Sequence, residues 1–207
     1  MDLTHHFLLS MPTLANSWFD KSITYIFEHS DTGAIGFVIN RHTQLMSGDI
    51  YNQLNIECHD NARRSAPVFQ GGPVDGERGF ILCASDTVPK LSLSDKTKKD
   101  DSNNSEEAQN ASADRYNSNE YGIGISSSIA LLTELAQGQG PTSNLLLLGY
   151  AGWAAGQLEA EMANNSWLTC AATQDIIFHE DCEQKFTMAA ESIGVDFSLI
   201  SGDAGHA

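Results

Sequence analysis

The residue types that most often perform chemistry are present in this sequence, but their spacing forms no catalytic or metal-binding pattern. The four cysteines include no C-x-x-C pair, and no H-E-x-x-H or G-x-S-x-G segment occurs. Cys182 lies in the acidic segment 179–183, where neighbouring carboxylates disfavour a thiolate, so we expect a poor nucleophile. The sequence therefore predicts no catalytic set, no metal site and no cofactor.

Histidine together with arginine offers one enzymatic alternative. His6 or His29 would act as a general base beside Arg41 or Arg78, whose guanidinium groups suit a carboxylate or a phosphate. This combination predicts an enzyme that acts on a small anionic substrate. We keep it as the alternative to a protein that binds without turnover.

Two glycine-rich segments are the most distinctive local patterns. Residues 149–156 read GYAGWAAG and have neither the Gly-Lys-Ser/Thr of a phosphate-binding loop nor the G-x-G-x-x-G spacing. Residues 71–73 read GGP, and Arg78 follows shortly afterwards. Each segment fits tight backbone packing or a turn that faces a ligand. We favour packing for 149–156, and pairing of Arg78 with Asp75 or Glu77 over contact with a substrate.

Charge and hydropathy exclude several classes of protein. The chain has 207 residues, a formal net charge of −16 and 41% hydrophobic positions, so it can bury a core. Such an acidic surface repels phosphates, which disfavours direct binding to nucleic acid. No apolar run approaches the ~20 residues of a membrane helix, and the N-terminus has no basic region of a signal peptide. We therefore expect a cytoplasmic protein without a membrane partner.

The elements that position these residues are mostly strands in the first half of the chain and mixed elements in the second. β-Branched and aromatic residues predict strands at 22–29 and 34–40, and the turn residues 30–33 between them predict a hairpin. Helical spacing predicts a helix over 126–137, and an apolar run predicts a buried strand at 145–148 that ends at the glycines. Asp181 with Gln184 predicts a capped helix that ends at Gly194.

One segment differs from the rest in composition. About residues 92–119 consist of Lys, Asp, Asn, Ser and Glu with almost no large apolar side chain. Such a segment cannot bury enough surface to offset its ordering entropy. It predicts a disordered acidic and polar surface insertion in an otherwise single α+β domain spanning 1–207.

Several blocks of sequence, taken in order, resemble the bacterial YqgE/AlgH family. The blocks are HFLLSMP at 6–12, SITYI at 22–26, GAIGFVIN at 33–40, GGPV at 71–74 with RGF at 78–80, LGYAGW at 148–153 with GQLE at 156–159, NSWL at 165–168 and AGHA at 204–207. Two positions depart from the family pattern: Cys83 stands where histidine is frequent, and Lys185-Phe186 where Arg-Trp is frequent.

The resemblance implies an α+β fold in which a small closed or bifurcated mixed β-sheet is surrounded by helices. It also implies a bacterial cytosolic protein. Members carry a transcriptional-regulator label, but the family supplies no catalytic set. With a charge of −16, regulation is expected through a protein partner rather than through direct contact with DNA.

The sequence as a whole predicts a non-enzymatic binding or regulatory protein, whose partner is a protein or a small anionic ligand. In this hypothesis the two arginines hold the anionic group, the glycines admit a close backbone, and the aromatic side chains supply apolar contact. The predicted binding residues are Asn40, Arg41, Gly71, Gly72, Pro73, Arg78, Gly149, Tyr150, Gly152 and Trp153.

Overall fold

The computed structural model describes residues 2–84 and 117–196. The strands are β1 His6–Ser10, β2 Ile23–Ser30, β3 Gly33–Val38, β4 His42–Met46, β5 Pro67–Gln70, β6 Val74–Ala84, β7 Asn117–Ser118, β8 Ile123–Ser126, β9 Asn144–Ala154 and β10 Trp167–Ala171. The helices are α1 Ser47–Gln53, α2 Asn61–Arg64, α3 Ile129–Gln137, α4 Gln157–Ala163, α5 Gln174–Ile177 and α6 Cys182–Glu191. These elements confirm the α+β class.

The chain divides into two compact units. The described part of the first unit comprises residues 2–45, 67–79 and 147–196, and that of the second comprises 46–66, 80–84 and 117–146. Strands β6 and β9 are long enough to contribute residues to both units. Within the described residues, no helix is both long and apolar enough to cross a membrane.

The first unit contains a sheet with the strand order β10-β1-β2-β3-β9. Every pairing in this order is antiparallel, and the predicted hairpin is confirmed by β2 and β3, which pair Ser30 with Gly33 at the turn. Strand β9 also pairs with β5, which in turn pairs with β4. The sheet of this unit is therefore open, and it branches at β9.

The apolar positions of these strands build the core of the first unit. Buried side chains of β1, β2 and β3 pack against two tryptophans and against α4, and the cluster consists of Leu3, Leu8, Ile26, Ala34, Ala151, Trp153, Leu158 and Trp167. The β-branched and aromatic residues of the sequence predicted β2, in which five consecutive residues from Ile23 to Phe27 are buried.

The predicted end of the strand at Leu148 is wrong. Strand β9 continues through Gly149 and Gly152 to Ala154. Gly149 has a φ of +72°, which glycine adopts without a steric penalty, so the strand passes through this residue. Gly149 and Gly152 therefore belong to a strand, whereas Gly156 lies in the turn that precedes α4.

Helix α6 follows the sequence prediction closely. The Asp181 carboxylate accepts a hydrogen bond from the Glu183 backbone N–H at 2.9 Å and another from Gln184 Nε2 at 3.1 Å. The helix ends at Glu191, and Gly194 adopts a φ of +72° three residues later. Because Asp181 fixes the start of the helix, Cys182 is its first residue.

The second unit contains α1, α2 and α3 and the antiparallel order β6-β8-β7. Its helix α3 covers most of the predicted 126–137, although Ser126 is the last residue of β8 instead. Cys83 on β6 is fully buried, and burial raises the pKa of its thiol to about 11. Of the predicted insertion, residues 92–116 lie outside the described residues, while Asn117 and Ser118 form β7.

Candidate functional site

The two glycine-rich segments meet at one place in the first unit, which we call the glycine crossing (Gly71, Gly72, Gly149 and Tyr150). The Gly71 backbone N–H donates to the Leu148 carbonyl oxygen at 2.8 Å. A Cβ on Gly72 would overlap the backbone carbonyl of Tyr150, and a Cβ on Gly149 would lie 2.6 Å from the Gly72 oxygen. The backbones fill this space themselves, so these glycines permit close strand packing.

Trp153 lies in the core, where the binding hypothesis required a surface residue. Its side chain is 6% exposed, and its ring stacks on Phe19 at a centroid distance of 6.1 Å. Its indole N–H donates to Glu161 Oε2 at 2.9 Å, and the Trp167 indole donates to the same oxygen at 2.7 Å. Trp153 thus stabilises the junction of β9, α4 and β10. Next to it on β9, Gly152 is exposed and Tyr150 is half-buried.

Arg41 anchors a loop of its own unit. Its guanidinium donates to the backbone carbonyls of Trp18 and Asp20, the latter at 2.9 Å, and lies 4.7 Å from the centroid of the Trp18 ring. Burial lowers the pKa of Arg41, and the nearby Asp20 carboxylate opposes that effect. These donors hold the segment 18–20 in place.

Asn40 supports the end of the same loop. Its Oδ1 accepts from the Ile23 backbone N–H at 3.0 Å, and its Nδ2 donates to the Lys21 carbonyl at 2.9 Å. The remaining predicted residues, Pro73 and Arg78, lie in an exposed stretch at the start of β6. The structure thus brings the two glycine segments together. Asn40 and Arg41 instead hold the loop of residues 18–21 through hydrogen bonds to its backbone.

The two histidines of the enzymatic alternative, His6 and His29, both form hydrogen bonds with protein groups. His29 Nδ1 accepts from the Leu3 backbone N–H at 3.0 Å, so the ring proton is on Nε2, which lies 3.0 Å from Glu159 Oε1. The side chain of His29 is 3% exposed. His6 Nδ1 lies 3.0 Å from the Thr4 carbonyl, to which it donates. His29 thus links the N-terminal segment to α4, whereas the contact of His6 is local to that segment.

A cavity of about 800 Å³ lies beside helix α6, and we call it the α6 cavity. Apolar side chains line part of its wall, and the charged side chains are two carboxylates and one lysine. Its lining residues are Ser10, Met11, Pro12, Ala15, Asp20, Lys21, Asn40, Cys182, Glu183, Phe186 and Thr187. Asn40 is the member that the sequence predicted.

A cysteine–histidine pair occurs at the edge of this cavity. Cys182 Sγ lies 2.9 Å from Nε2 of His42, the first residue of β4. The His42 ring packs edge-on against Phe69, with centroids 4.8 Å apart. Burial raises the pKa of the Cys182 thiol, while Lys185 opposes this and Asp181 adds to it. This arrangement is the geometry of a nucleophile with an adjacent base.

Lys185 lies one helical turn from Cys182 and is completely buried. Its Nζ donates to the carbonyl oxygens of Ile39 and Ile177, each at 2.9 Å, and lies 4.9 Å from the Phe69 ring centroid. Burial lowers its pKa to about 8. The ammonium group therefore links α6 to the ends of β3 and α5 through backbone oxygens.

Sequence reasoning missed the Cys182–His42 pair because the two residues are 140 positions apart. The available signal was the capped helix, which places Cys182 at the first position of α6. The acidic neighbours in the sequence predicted a poor nucleophile, and the raised pKa of the thiol agrees with a protonated resting state. Within residues 2–84 and 117–196, no group of three or more His, Cys, Asp or Glu side chains is arranged for a metal ion.

The comparisons with known proteins agree with this fold over its whole length. A UPF0301 protein of Nitrosospira multiformis is 38% identical over 100% of this chain and 98% of the relative. A UPF0301 protein of Pseudomonas putida is 39% identical over 99% and 96%. The solution structure of the AlgH protein from Pseudomonas aeruginosa matches with a TM-score of 0.69 at 36% identity, covering 100% of this chain and 97% of that one.

A crystal structure of protein DIP2367 from Corynebacterium diphtheriae shares the fold, with a TM-score of 0.57 at 16% identity over 84% of this chain and 78% of that one. The family model DUF179, described as AlgH-like, matches residues 7–198. With a match over nearly the whole sequence and relatives of this similarity, the chain belongs to the AlgH-like DUF179 family, also named UPF0301.

Proposed function

We propose that this protein binds a small molecule in the α6 cavity and acts by binding rather than by turnover. The observation that carries the proposal is the cavity itself. Its volume of about 800 Å³ falls within the ~300–1,000 Å³ typical of small-molecule sites. Its wall combines apolar side chains with a few polar groups, the composition such sites usually have.

The charges of the wall favour a neutral or cationic ligand. Asp20 and Glu183 contribute two negative charges against the single positive charge of Lys21. Arg41, which the sequence assigned to an anionic group, donates to two backbone carbonyls of the adjacent loop. A small anionic ligand is therefore the competing outcome, and a ligand screen distinguishes the two.

The loop that forms one side of the cavity is well anchored. Arg41 and Asn40 hold residues 18–21 through side-chain hydrogen bonds to backbone groups. A site whose wall is fixed before binding loses less conformational entropy when the ligand enters. The geometry therefore supports a preformed binding site. Regulation, which the family label suggests, would follow from this binding and not from contact with DNA.

The test is a screen of a small-molecule library by thermal unfolding and NMR, with neutral, cationic and anionic compounds in equal numbers. A ligand at 100 times its Kd stabilises the folded state by about 2.7 kcal/mol, which raises Tm measurably. Ala15→Trp places a bulky side chain in the cavity and is expected to abolish binding of the hits.

Ala163→Trp is the matched control, because Ala163 is exposed at the end of α4 and does not line the cavity. We expect hits that are mainly neutral or cationic, lost in Ala15→Trp and retained in Ala163→Trp. Hits that survive in both variants, or the absence of any hit, would contradict the proposal. Hits that are mostly anionic would reverse the assignment of ligand charge.

A further inference from the structure

We propose that Cys182 is a covalent acceptor, whose thiol is deprotonated by His42 and adds to a neutral α,β-unsaturated carbonyl compound held in the α6 cavity. The inference rests on the proposed function, since the cavity delivers the electrophile to the thiol. It adds the chemical class of the ligand and a modification site.

The geometry of the pair is set by elements that are anchored independently. His42 begins β4, which pairs with β5, and its ring lies against Phe69 of that strand. Cys182 begins α6, which Lys185 ties to the Ile39 carbonyl. The Sγ–Nε2 distance of 2.9 Å is thus maintained by the fold and not by the flexibility of one loop.

The charges around Cys182 favour a thiol that needs a base. Burial and the Asp181 carboxylate raise the pKa of Cys182, and only Lys185 lowers it. Glu183 follows on the helix, and Asp20 and Lys21 face the cavity from the loop. A protonated thiol becomes nucleophilic when a neighbouring group takes its proton. His42 is in contact with the sulfur and is a group of that kind.

The first turn of α6 favours addition over acyl transfer. In acyl transfer the developing oxyanion is bonded to the attacked carbon, so it must lie beside the sulfur and receive hydrogen bonds there. Asp181 already accepts hydrogen bonds from the Glu183 backbone and the Gln184 side chain. In an unsaturated carbonyl compound the oxygen is two carbons away from the attacked carbon, which lets it face another part of the cavity wall, where Lys21 is the cation.

The reaction balances without a further reactant. His42 Nε2 takes the thiol proton, the sulfur forms a bond to the β-carbon, and the π electrons of the C=C bond move to the carbonyl group as an enolate. The imidazolium then returns the proton to the α-carbon. The product is a thioether on Cys182, with His42 neutral again.

The test uses 2-cyclohexen-1-one as the probe and intact-protein mass spectrometry under reducing conditions. We expect one adduct, located on the peptide that contains Cys182, and none in Cys182→Ser. General-base catalysis contributes about 10²–10⁴-fold, so His42→Gln is expected to slow the reaction about 100-fold at neutral pH. His59→Gln is the matched control, since His59 is exposed in the other unit.

The pH dependence separates a base from a structural role. Without His42 the rate depends on the thiolate fraction, so it is expected to increase tenfold per pH unit and to reach the wild-type rate at alkaline pH. A cooperative thermal unfolding transition at the wild-type Tm shows separately that His42→Gln is folded. Equal rates in wild type and His42→Gln at neutral pH, or adducts on the buried Cys58, Cys83 or Cys170, would overturn the inference.

Two further measurements distinguish failure of this inference from failure of the proposed function. Cyclohexanone, which cannot form the adduct, reports reversible binding through NMR shifts of the cavity residues. Binding of cyclohexanone without an adduct on Cys182 would leave the proposed function intact and overturn the covalent step. An adduct that forms at the same rate in Ala15→Trp, with no saturation by the probe, would overturn the role of the cavity both in the covalent step and in the proposed function.

Discussion

The glycine crossing and the α6 cavity lie in the same unit and differ in nearly every respect that bears on function. The glycine crossing contains the most distinctive sequence pattern, yet its backbones approach so closely that a single Cβ on Gly72 would overlap Tyr150. The α6 cavity is lined by inconspicuous residues, yet it offers about 800 Å³ and the Cys182–His42 pair. The distinctive pattern marks packing, and the cavity and the cysteine–histidine pair lie elsewhere in the unit.

The difference has a physical origin. A pair of glycines is conspicuous because few backbone arrangements require the absence of a side chain, and close strand packing is one of them. A cavity requires only that neighbouring side chains fail to fill a space, which leaves no local pattern. Distinctive sequence therefore identifies strong steric constraint more directly than it identifies a ligand site.

The largest expected effect is a loss of stability when a side chain is introduced at the glycine crossing. Gly72→Ala places a methyl group on the Tyr150 backbone, which cannot rotate away as a side chain could. Overpacking typically costs about 1–3 kcal/mol, and a clash with backbone lies at or above the upper end of that range. Urea unfolding followed by tryptophan fluorescence is expected to show a loss of about 3 kcal/mol or more in the free energy of unfolding.

Gly76→Ala is the control in the same segment, because a Cβ on Gly76 would have no atom within 4 Å. It is expected to leave the free energy of unfolding within about 0.5 kcal/mol of wild type, as ordinary surface substitutions do. Equal losses in the two variants would mean that the segment tolerates no alanine for reasons other than the crossing.

Local signals in the sequence account for much of this fold. The hairpin of β2 and β3 follows from β-branched and aromatic residues on both sides of a turn, and the start of α6 follows from Asp181, since both depend on neighbouring residues. The passage of β9 through Gly149 was missed because it depends on a partner segment nearly eighty residues away in the chain, at Gly72. The contacts of Trp153 could not be derived for a similar reason, as Glu161 and Trp167 provide them.

The candidate site was less accessible to sequence reasoning. The sequence placed Asn40 in a ligand-binding surface together with Arg41. Asn40 lines the α6 cavity, whereas Arg41 donates to backbone carbonyls. Which acceptor a guanidinium group binds depends on the fold of the loop beside it. The Cys182–His42 pair requires knowledge of which strand end lies near α6, and no spacing within the sequence contains that information.

The next largest effect concerns the α6 cavity, because Lys185 is a buried charge on the helix that lines it. Lys185 has a pKa of about 8 in the folded state, against 10.5 ordinarily. Below pH 8 the lysine is charged in both states, and burial of that charge destabilises the fold. Between about pH 8 and 10.5 the unfolded state binds more protons, so the free energy of unfolding increases with pH, by an amount on the order of 3 kcal/mol.

The measurement compares wild type with Lys185→Met by urea unfolding from pH 7 to pH 10.5 under reducing conditions. The difference between the two curves isolates Lys185 from the other groups that titrate in this range. Wild type is expected to gain stability relative to Lys185→Met as the pH rises. Lys21→Met, at an exposed position, is expected to follow wild type at every pH. A constant difference between wild type and Lys185→Met would show that burial does not shift this lysine.

The smallest expected loss of stability concerns Arg41, which holds the loop beside the α6 cavity. Arg41→Lys keeps the charge but loses the planar fork that reaches the Trp18 and Asp20 carbonyls together. Loss of one such hydrogen bond is expected to lower the free energy of unfolding by about 1 kcal/mol. Arg63→Lys, in an exposed ion pair with Asp60, is expected to change it by less than about 0.5 kcal/mol.

The variant Arg41→Lys also shows whether Arg41 anchors the loop or binds an anion. If Arg41 is an anchor, inorganic phosphate stabilises wild type and Arg41→Lys equally, because neither guanidinium nor ammonium group is available to it. A phosphate-dependent rise in Tm that is present in wild type and absent in Arg41→Lys would restore the anionic ligand that the sequence predicted. In that case the neutral electrophile proposed for Cys182 would lose the electrostatic argument that supports it, and only the geometry of the thiol and the imidazole would remain.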